Sequence, residues 1–518
     1  MIDGLDTGPH CPTPRRLSNL VDVPLTAPGR TVVRDRLSHL VPGGTVGPMD
    51  FREESVVGLA GKVRSGELSA REVVGHALGR IEADNPTLNA FVAVDGDRAL
   101  AAAGRIDEAI AAGRDPGPLA GIPIGVKDLE DAEGFTTTNG SVAFAGNPPA
   151  PADSPLVARL VAAGCVVLGK TNTPEVGWKA DTDNAVFGPT LNRWNLDHTP
   201  GGSSGGSASA VAAGLVPLAT GSDGGGSLRI PSACCGLSSV KPSLGRVPSG
   251  GDQAPDWHDL STKGVIARRL VDLAAVLDVV VGPDASDLRS LPRPEASWSG
   301  AVVDPHVPTR VAWSPTLGYA DVDAEVLELC GRALGVLESL GTDVVEVPDV
   351  FSKDPIDDWL TLAGTYNLRS LAPYREDPEV WGRIDPVLLM VLENAASLTA
   401  VDIVRAQDSC YDLNLSLVDL FRDVRLLVTP VTAAAPPPRA LGGAGSVNGT
   451  VDYNWVKFTY PFNMTRSPAA TVTIGLSSAG VPVGLQLVGP QHGDLVVLRA
   501  AAALEAALAF TAQPAIGG

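Results

Sequence analysis

An α/β fold, one large domain with a central mixed β-sheet covered by helices on both faces, is what this chain of 518 residues predicts. Three observations lead there. Short apolar runs bounded by Gly, Pro or Asn recur along the chain, as strands do. Ala-rich segments of helical period alternate with them. The runs are continuously apolar instead of alternating, which is the mark of strands covered on both faces.

The elements follow in order. Val57, Leu59, Ala60, Val63 and Leu68 recur at helical spacing. Ser69-Ala70-Arg71-Glu72 then reads as a capping box ahead of Val73, Val74, Ala77, Leu78 and Ile81. Further helices are expected over 98–112, 156–163, 207–213, 265–281, 324–340 and 495–508, and strands over 122–126, 166–168, 216–220, 309–313, 344–347, 426–429 and 481–488. The Ala-, Pro- and Gly-rich stretch 430–450 reads as a surface loop. Residues 1–49 lack sustained periodicity and are expected to be a flexible N-terminal extension, with 50–518 as the single large domain.

Charge excludes some functions. With 59 acidic against 39 basic residues, the formal charge is -20, and no basic run offsets it. Such a chain has no general attraction to nucleic acid or anionic membrane. Six scattered cysteines with no C-x-x-C pair fit neither a disulfide scaffold nor a zinc ribbon. They suit a reducing compartment. No export signal or membrane span is read from the pattern, so a cytoplasmic protein without metal or organic cofactor is expected.

The chemistry concentrates in 197–248. Two serines sit in separate glycine-rich turns, Ser203 in P-G-G-S-S-G-G-S and Ser227 in T-G-S-D-G-G-G-S, 24 residues apart. That separation allows one helix up and one strand back, so both turns can end at one locus. Gly224, Gly225 and Gly226 can aim successive N–H groups inward, as an oxyanion requires. A serine hydroxyl needs a base. Of seven histidines only His198 lies near, with no triad arrangement around it. Lys127 ends the apolar run G-I-P-I-G-V-K-D, and burial there would favour its neutral, proton-accepting form.

These pieces resemble the amidase signature enzymes. Besides the segments quoted, A-G-C-V-V-L-G-K-T-N-T-P-E, F-G-P-T-L-N-R-W-N, Val240-Lys241-Pro242, Tyr460-Pro461-Phe462-Asn463 and V-G-L-Q-L-V-G (483–489) follow in order. The resemblance covers about 53–508 and is strongest over 121–248. It implies a Ser–Ser–Lys mechanism, with Ser227 as nucleophile, Ser203 (after a cis peptide bond) as relay and Lys127 as base. It also implies an oxyanion hole from the N–H groups of Gly224, Gly225, Gly226 and Ser227. Ser204 is either a relay partner or a helix N-cap. Asp223 and Arg229 are expected to brace the nucleophile turn. Two departures stand out: Gly224 where a β-branched residue is common, expected to widen or loosen the turn, and Ser238-Ser239 for the usual Val-Gly.

The G-x-S-x-G elbow of α/β-hydrolases also fits Gly201 to Gly205, but it leaves Lys127 and Ser227 without a role. The expected activity is hydrolysis of aryl or hydrophobic acyl amides, with carbamates, esters and oligoamides as further substrates. The alternative is the glutaminase subunit of a tRNA-dependent amidotransferase. Trp359, Tyr366, Tyr374, Trp381 and Tyr411 favour the stand-alone enzyme by suggesting an aromatic-lined pocket; Trp455 and Phe462 are further pocket candidates. The expected partner is a small-molecule amide, without nucleic acid or membrane, and a homodimer is the assembly considered.

Overall fold

The computed structural model describes residues 49–252 and 254–515. The expected extension over 1–49 lies almost wholly outside the described residues.

Eleven strands form one mixed sheet. In chain order they are β1 (Phe91–Val94), β2 (Pro123–Lys127), β3 (Val166–Thr171), β4 (Leu218–Asp223), β5 (Ser238–Lys241), β6 (Thr262–Ala267), β7 (Arg310–Trp313), β8 (Asp343–Glu346) and β9 (Leu427–Pro430). A small separate hairpin, β10 (Gly445–Val447) with β11 (Thr450–Asp452), precedes β12 (Ala469–Leu476) and β13 (Pro482–Val488). The sheet runs β1-β3-β2-β4-β6-β5-β12-β13-β9-β7-β8. Its first six strands therefore come from the N-terminal part of the chain and its last five from the C-terminal part. The antiparallel pair β5 and β12 joins them.

Central strands β2, β4, β5 and β13 are buried at every position. That burial explains why their sequence is not alternating: each side chain meets a covering helix. The capping box is present, Ser69 accepting from the Glu72 N–H while the Glu72 carboxylate accepts from the Ser69 N–H. Among the described residues no single helix is long and apolar enough to cross a membrane; one bent pair, Pro386–Ser397 with Ala400–Leu420, passes that test of length and composition.

Two expectations are corrected. The helix read over 265–281 begins only at Leu270, because Val265, Ile266 and Ala267 belong to β6, paired with β4 and β5. A three-residue apolar run looks the same in a buried strand and a buried helix. The loop read over 430–450 holds β10 and the start of β11.

Candidate active site

Lys127 is wholly buried at the C-terminal end of β2. Its neighbours come from β4, where period two puts Thr220 and Ser222 on one face. The Lys127 N–H donates to Thr220 Oγ1 at 2.9 Å, and Lys127 Nζ donates to Ser222 Oγ at 3.1 Å. Nζ also donates to Ser203 Oγ at 2.7 Å. Ser203 follows a cis peptide bond at Gly202 and stands just ahead of the helix Gly205–Ala212.

Burial lowers Lys127 from the usual lysine value to about 7. The cation of Lys263 adds to that shift, and Glu130 and Asp223 oppose it. Lys263 lies opposite Ser222 in the antiparallel β4–β6 register. Directly opposed side chains share a face of the sheet. Lys263 also forms an ion pair with Glu130, in the loop after β2.

Ser227 follows the glycine turn that ends β4. Asp223 at the strand end accepts from the N–H of Gly226 at 2.8 Å and of Leu228 at 3.2 Å. Arg229 grips the same carboxylate through Nε at 2.9 Å and Nη2 at 2.8 Å. Both side chains are fully buried. Burial alone would raise the Asp223 carboxyl, yet the charge and hydrogen bonds of Arg229 hold it well below the usual carboxylate range. Arg229 also donates to Thr459 O, Gln486 Oε1 and Asn463 Oδ1. Arg229 thus ties the serine turn to the turn at Thr459, the helix Pro461–Met464 and β13.

One expectation changes here. The N–H of Gly226 is committed to Asp223, so it is not a free donor toward the cavity. Among the described residues, the N–H groups of Gly224, Gly225 and Ser227 donate to nothing within the protein. Gly226 has φ +130°, and a Cβ there would collide with Thr459 and Ile230. Nor does Gly224 loosen the turn: a Cβ there would come 2.7 Å from Trp257 Cε3, so an indole fills the space. Trp359 holds the turn from behind, its Nε1–H donating to Gly224 O at 3.1 Å.

Ser203, Ser222, Ser227, Gly224 and Lys263 line one cavity of about 710 Å³. Ser227 Oγ makes no hydrogen bond within the protein among the described residues, and none joins it to Ser203. Ser204 stands at the helix N-cap position but makes no capping bond; its hydroxyl instead exchanges long bonds of 3.4 Å with the backbone of Ser222. His198 Nδ1 lies 2.7 Å from Pro436 O, and His198 does not line the cavity.

The aromatic lining differs from expectation. Phe144 and Trp257 line the cavity, whereas the helix Ile356–Leu371 contributes polar Asn367 and Arg369 to it. Trp359 on that helix packs with Trp178, Trp257 and Tyr460 behind the glycine turn. Tyr411 is exposed, and Trp455 and Phe462 are buried away from the cavity. The sequence reading missed Ser222, Lys263, Trp257 and Asn367. A signal existed for Lys263, a lysine opening an apolar run where Lys127 closes one, but reading that run as a helix hid it.

The mixed sheet brings two glycine-flanked serines to one cavity, with Lys127 buried against one of them, and similarity to known amidases gives the class: an amide-hydrolysing enzyme acting on linear carbon–nitrogen bonds other than peptide bonds. A family model described as Amidase matches residues 72–498, and the chain belongs to that family, the amidase signature enzymes. It is 38% identical over 463 residues to an acylamidase of Rhodococcus erythropolis, covering 87% of this chain and 95% of that one. It is 34% identical to a glutamyl-tRNA(Gln) amidotransferase subunit of Synechococcus sp. (strain CC9605), covering 90% and 99%. Among solved structures, a bacterial aryl acylamidase superposes with a TM-score of 0.83 at 30% identity, covering 89% and 97%.

Proposed function

We propose that this chain is a stand-alone amidase that cleaves aryl or hydrophobic acyl amides through an acyl-enzyme on Ser227, with 50–518 as the catalytic domain. The observation that carries the proposal is the 2.7 Å contact between buried Lys127 Nζ and Ser203 Oγ at the cavity Ser227 also lines. In the proposed mechanism neutral Lys127 accepts the Ser203 hydroxyl proton, and Ser203 accepts that of Ser227. Ser227 Oγ attacks the amide carbon. The oxyanion draws hydrogen bonds from the Gly224–Ser227 turn, with Gly224, Gly225 and Ser227 as the uncommitted donors and Gly226 reserved for Asp223. The proton returns along the relay to the leaving amine, and water hydrolyses the acyl ester. Ser222, on Lys127 Nζ, orients the base, while Ser204 holds the serine loop to β4.

A cavity of about 710 Å³ lies within the usual range for small-molecule sites. With Phe144 and Trp257 among its lining, it supports an apolar acyl group. Carbamates, esters and oligoamides suit the same attack. The second reading, the glutaminase component of a tRNA-dependent amidotransferase, rests on the 34% relative.

The test is to incubate the purified chain with aryl amides, aliphatic amides, carbamates and glutamine, beside Ser227→Ala. Turnover of aryl amides without any partner, lost in the variant, with an acyl adduct on the Ser227 peptide in quenched samples, is the expected result. Glutaminase activity alone would move the function to the amidotransferase. Turnover that survives Ser227→Ala would overturn the mechanism.

A further inference from the structure

The helix Ala400–Leu420 has two apolar stripes. The inner one consists of Ile403, Ala406, Cys410, Leu413, Leu417 and Leu420, spaced alternately three and four residues apart. All six are buried or packed against the core, and the helix Ile356–Leu371 lies beside it. The outer stripe repeats the spacing with Val401, Val404, Asp408, Tyr411, Leu415 and Val418. Its apolar members are exposed by 57%, 52%, 71%, 59% and 46% in that order. A surface helix needs one apolar face to dock on its own domain. A second one, at the 3.5-residue period of paired helices, is shaped to meet another helix.

We propose that this outer stripe is the surface through which two copies of the chain associate, helix against helix, antiparallel about a two-fold axis. A two-fold contact must be self-complementary, and this stripe is so in one register. Val401 meets Val418 of the second copy, Val404 meets Leu415, and Asp408 meets Tyr411, each pair occurring twice. At the centre a phenol can donate to the Asp408 carboxylate. Along one flank Arg405 falls beside Asp412 of the second copy, and along the other Gln407 falls beside Asn414, again twice each. The parallel arrangement lacks this match: the two Asp408 carboxylates would face each other at the seam, and Arg405 would find only Ala400.

Charge also selects the occupant. The outer face and its flanks carry Asp402, Asp408, Asp412 and Asp419 against Arg405 alone. Interfacial helices that lie on membranes carry Lys and Arg there instead. An acidic face is repelled by anionic lipid; a second copy carries the same excess, but its Arg405, 3.7 Å from Asp402 of its own helix, also falls beside Asp412.

Sedimentation velocity on the full chain tests this. A concentration-dependent dimer is expected. Leu415→Glu should raise its dissociation constant at least about tenfold with amide turnover and thermal midpoint unchanged, since this side chain already faces solvent. Arg405→Asp and Asp412→Arg should each weaken the dimer, and the two combined should restore it. A monomer at all concentrations, or a dimer indifferent to Leu415→Glu, would overturn the proposal. A dimer lost in Leu415→Glu but not recovered by the charge exchange would overturn the antiparallel register. A monomer that cosediments with phosphatidylcholine–phosphatidylserine vesicles through Leu415 would assign the stripe to a membrane and overturn the pairing.

Discussion

The pH dependence of turnover follows from the surroundings of Lys127, and Lys263→Met should move it. A lysine base works only when neutral. Because the folded protein lowers Lys127 to about 7, kcat/KM should rise with pH through that value. The competent fraction is then about one tenth at pH 6, one half at pH 7 and nine tenths at pH 8. A solvated lysine near 10.5 would be neutral in about one molecule in three thousand at pH 7. The buried setting thus raises the competent fraction by about 1,500-fold, equivalent to about 4 kcal/mol. Burial is the larger cause and Lys263 the next, with Glu130 and Asp223 opposing both. Replacing Lys263 removes a cation and leaves the Glu130 carboxylate unpaired. Both changes favour a proton on Lys127, so the acid limb must shift to higher pH while the alkaline plateau stays near the wild-type value. The assay is kcat/KM for an uncharged anilide from pH 5 to 10 in both enzymes. A wild-type limb centred near pH 4 would point to a carboxylate as base. A limb that ignores Lys263→Met would refute the electrostatic reasoning, and a lowered plateau with an unmoved midpoint would make Lys263 a substrate contact instead.

Lys241, buried and lowered to about 7, has among the described residues only the Pro242 carbonyl as hydrogen-bond acceptor. Its unfolded value is near 10.5, so between these limits the unfolded chain binds more protons and stability rises with pH. Lys241→Met should raise the thermal midpoint at pH 7, by up to about 4 kcal/mol of unfolding free energy, with the gain shrinking toward pH 10.5. Asp223→Ala strands the Arg229 charge in the interior and should cost about 3–5 kcal/mol in urea unfolding as well as turnover. Asn367 lines the cavity with a buried Nδ2 that has no partner among the described residues; Asn367→Leu should raise KM about tenfold for amides bearing a distal acceptor while leaving unfolding free energy equal or higher. Gly224→Thr should displace Trp257 and alter the ratio of kcat/KM between bulky and small acyl groups, measured on a paired substrate series.

Much of the strand and helix alternation was legible because buried strands and Ala-rich helices differ in length and punctuation. Glycine clusters and a lysine closing an apolar run are rare local patterns, and they marked Ser203 and Ser227, which line one cavity, and Lys127, buried against Ser203. What escaped reading depends on who lies opposite whom. Ser222 and Lys263 face each other only through the β4–β6 register, which no local period records. The withdrawal of the Gly226 N–H depends on where the Asp223 carboxylate points. Trp257, outside any helix or strand, takes its place from the missing Cβ of Gly224. The helix Ile356–Leu371 went unread, so its aromatics were assigned to the pocket when its polar residues supply that wall.

The grip of Arg229 on Thr459, Asn463 and Gln486 has a consequence for timing. Lys127, Ser203 and Ser227 are all synthesised in the first half of the chain, but the clamp on the serine turn arrives some 230 residues later. A nascent chain halted before Thr459 holds every reactive side chain without the partners that fix the serine turn. Hydrolytic competence is therefore a property of the finished sheet. Cut between β6 and β7, the two pieces should each be inert and regain turnover only when β12 finds β5 again.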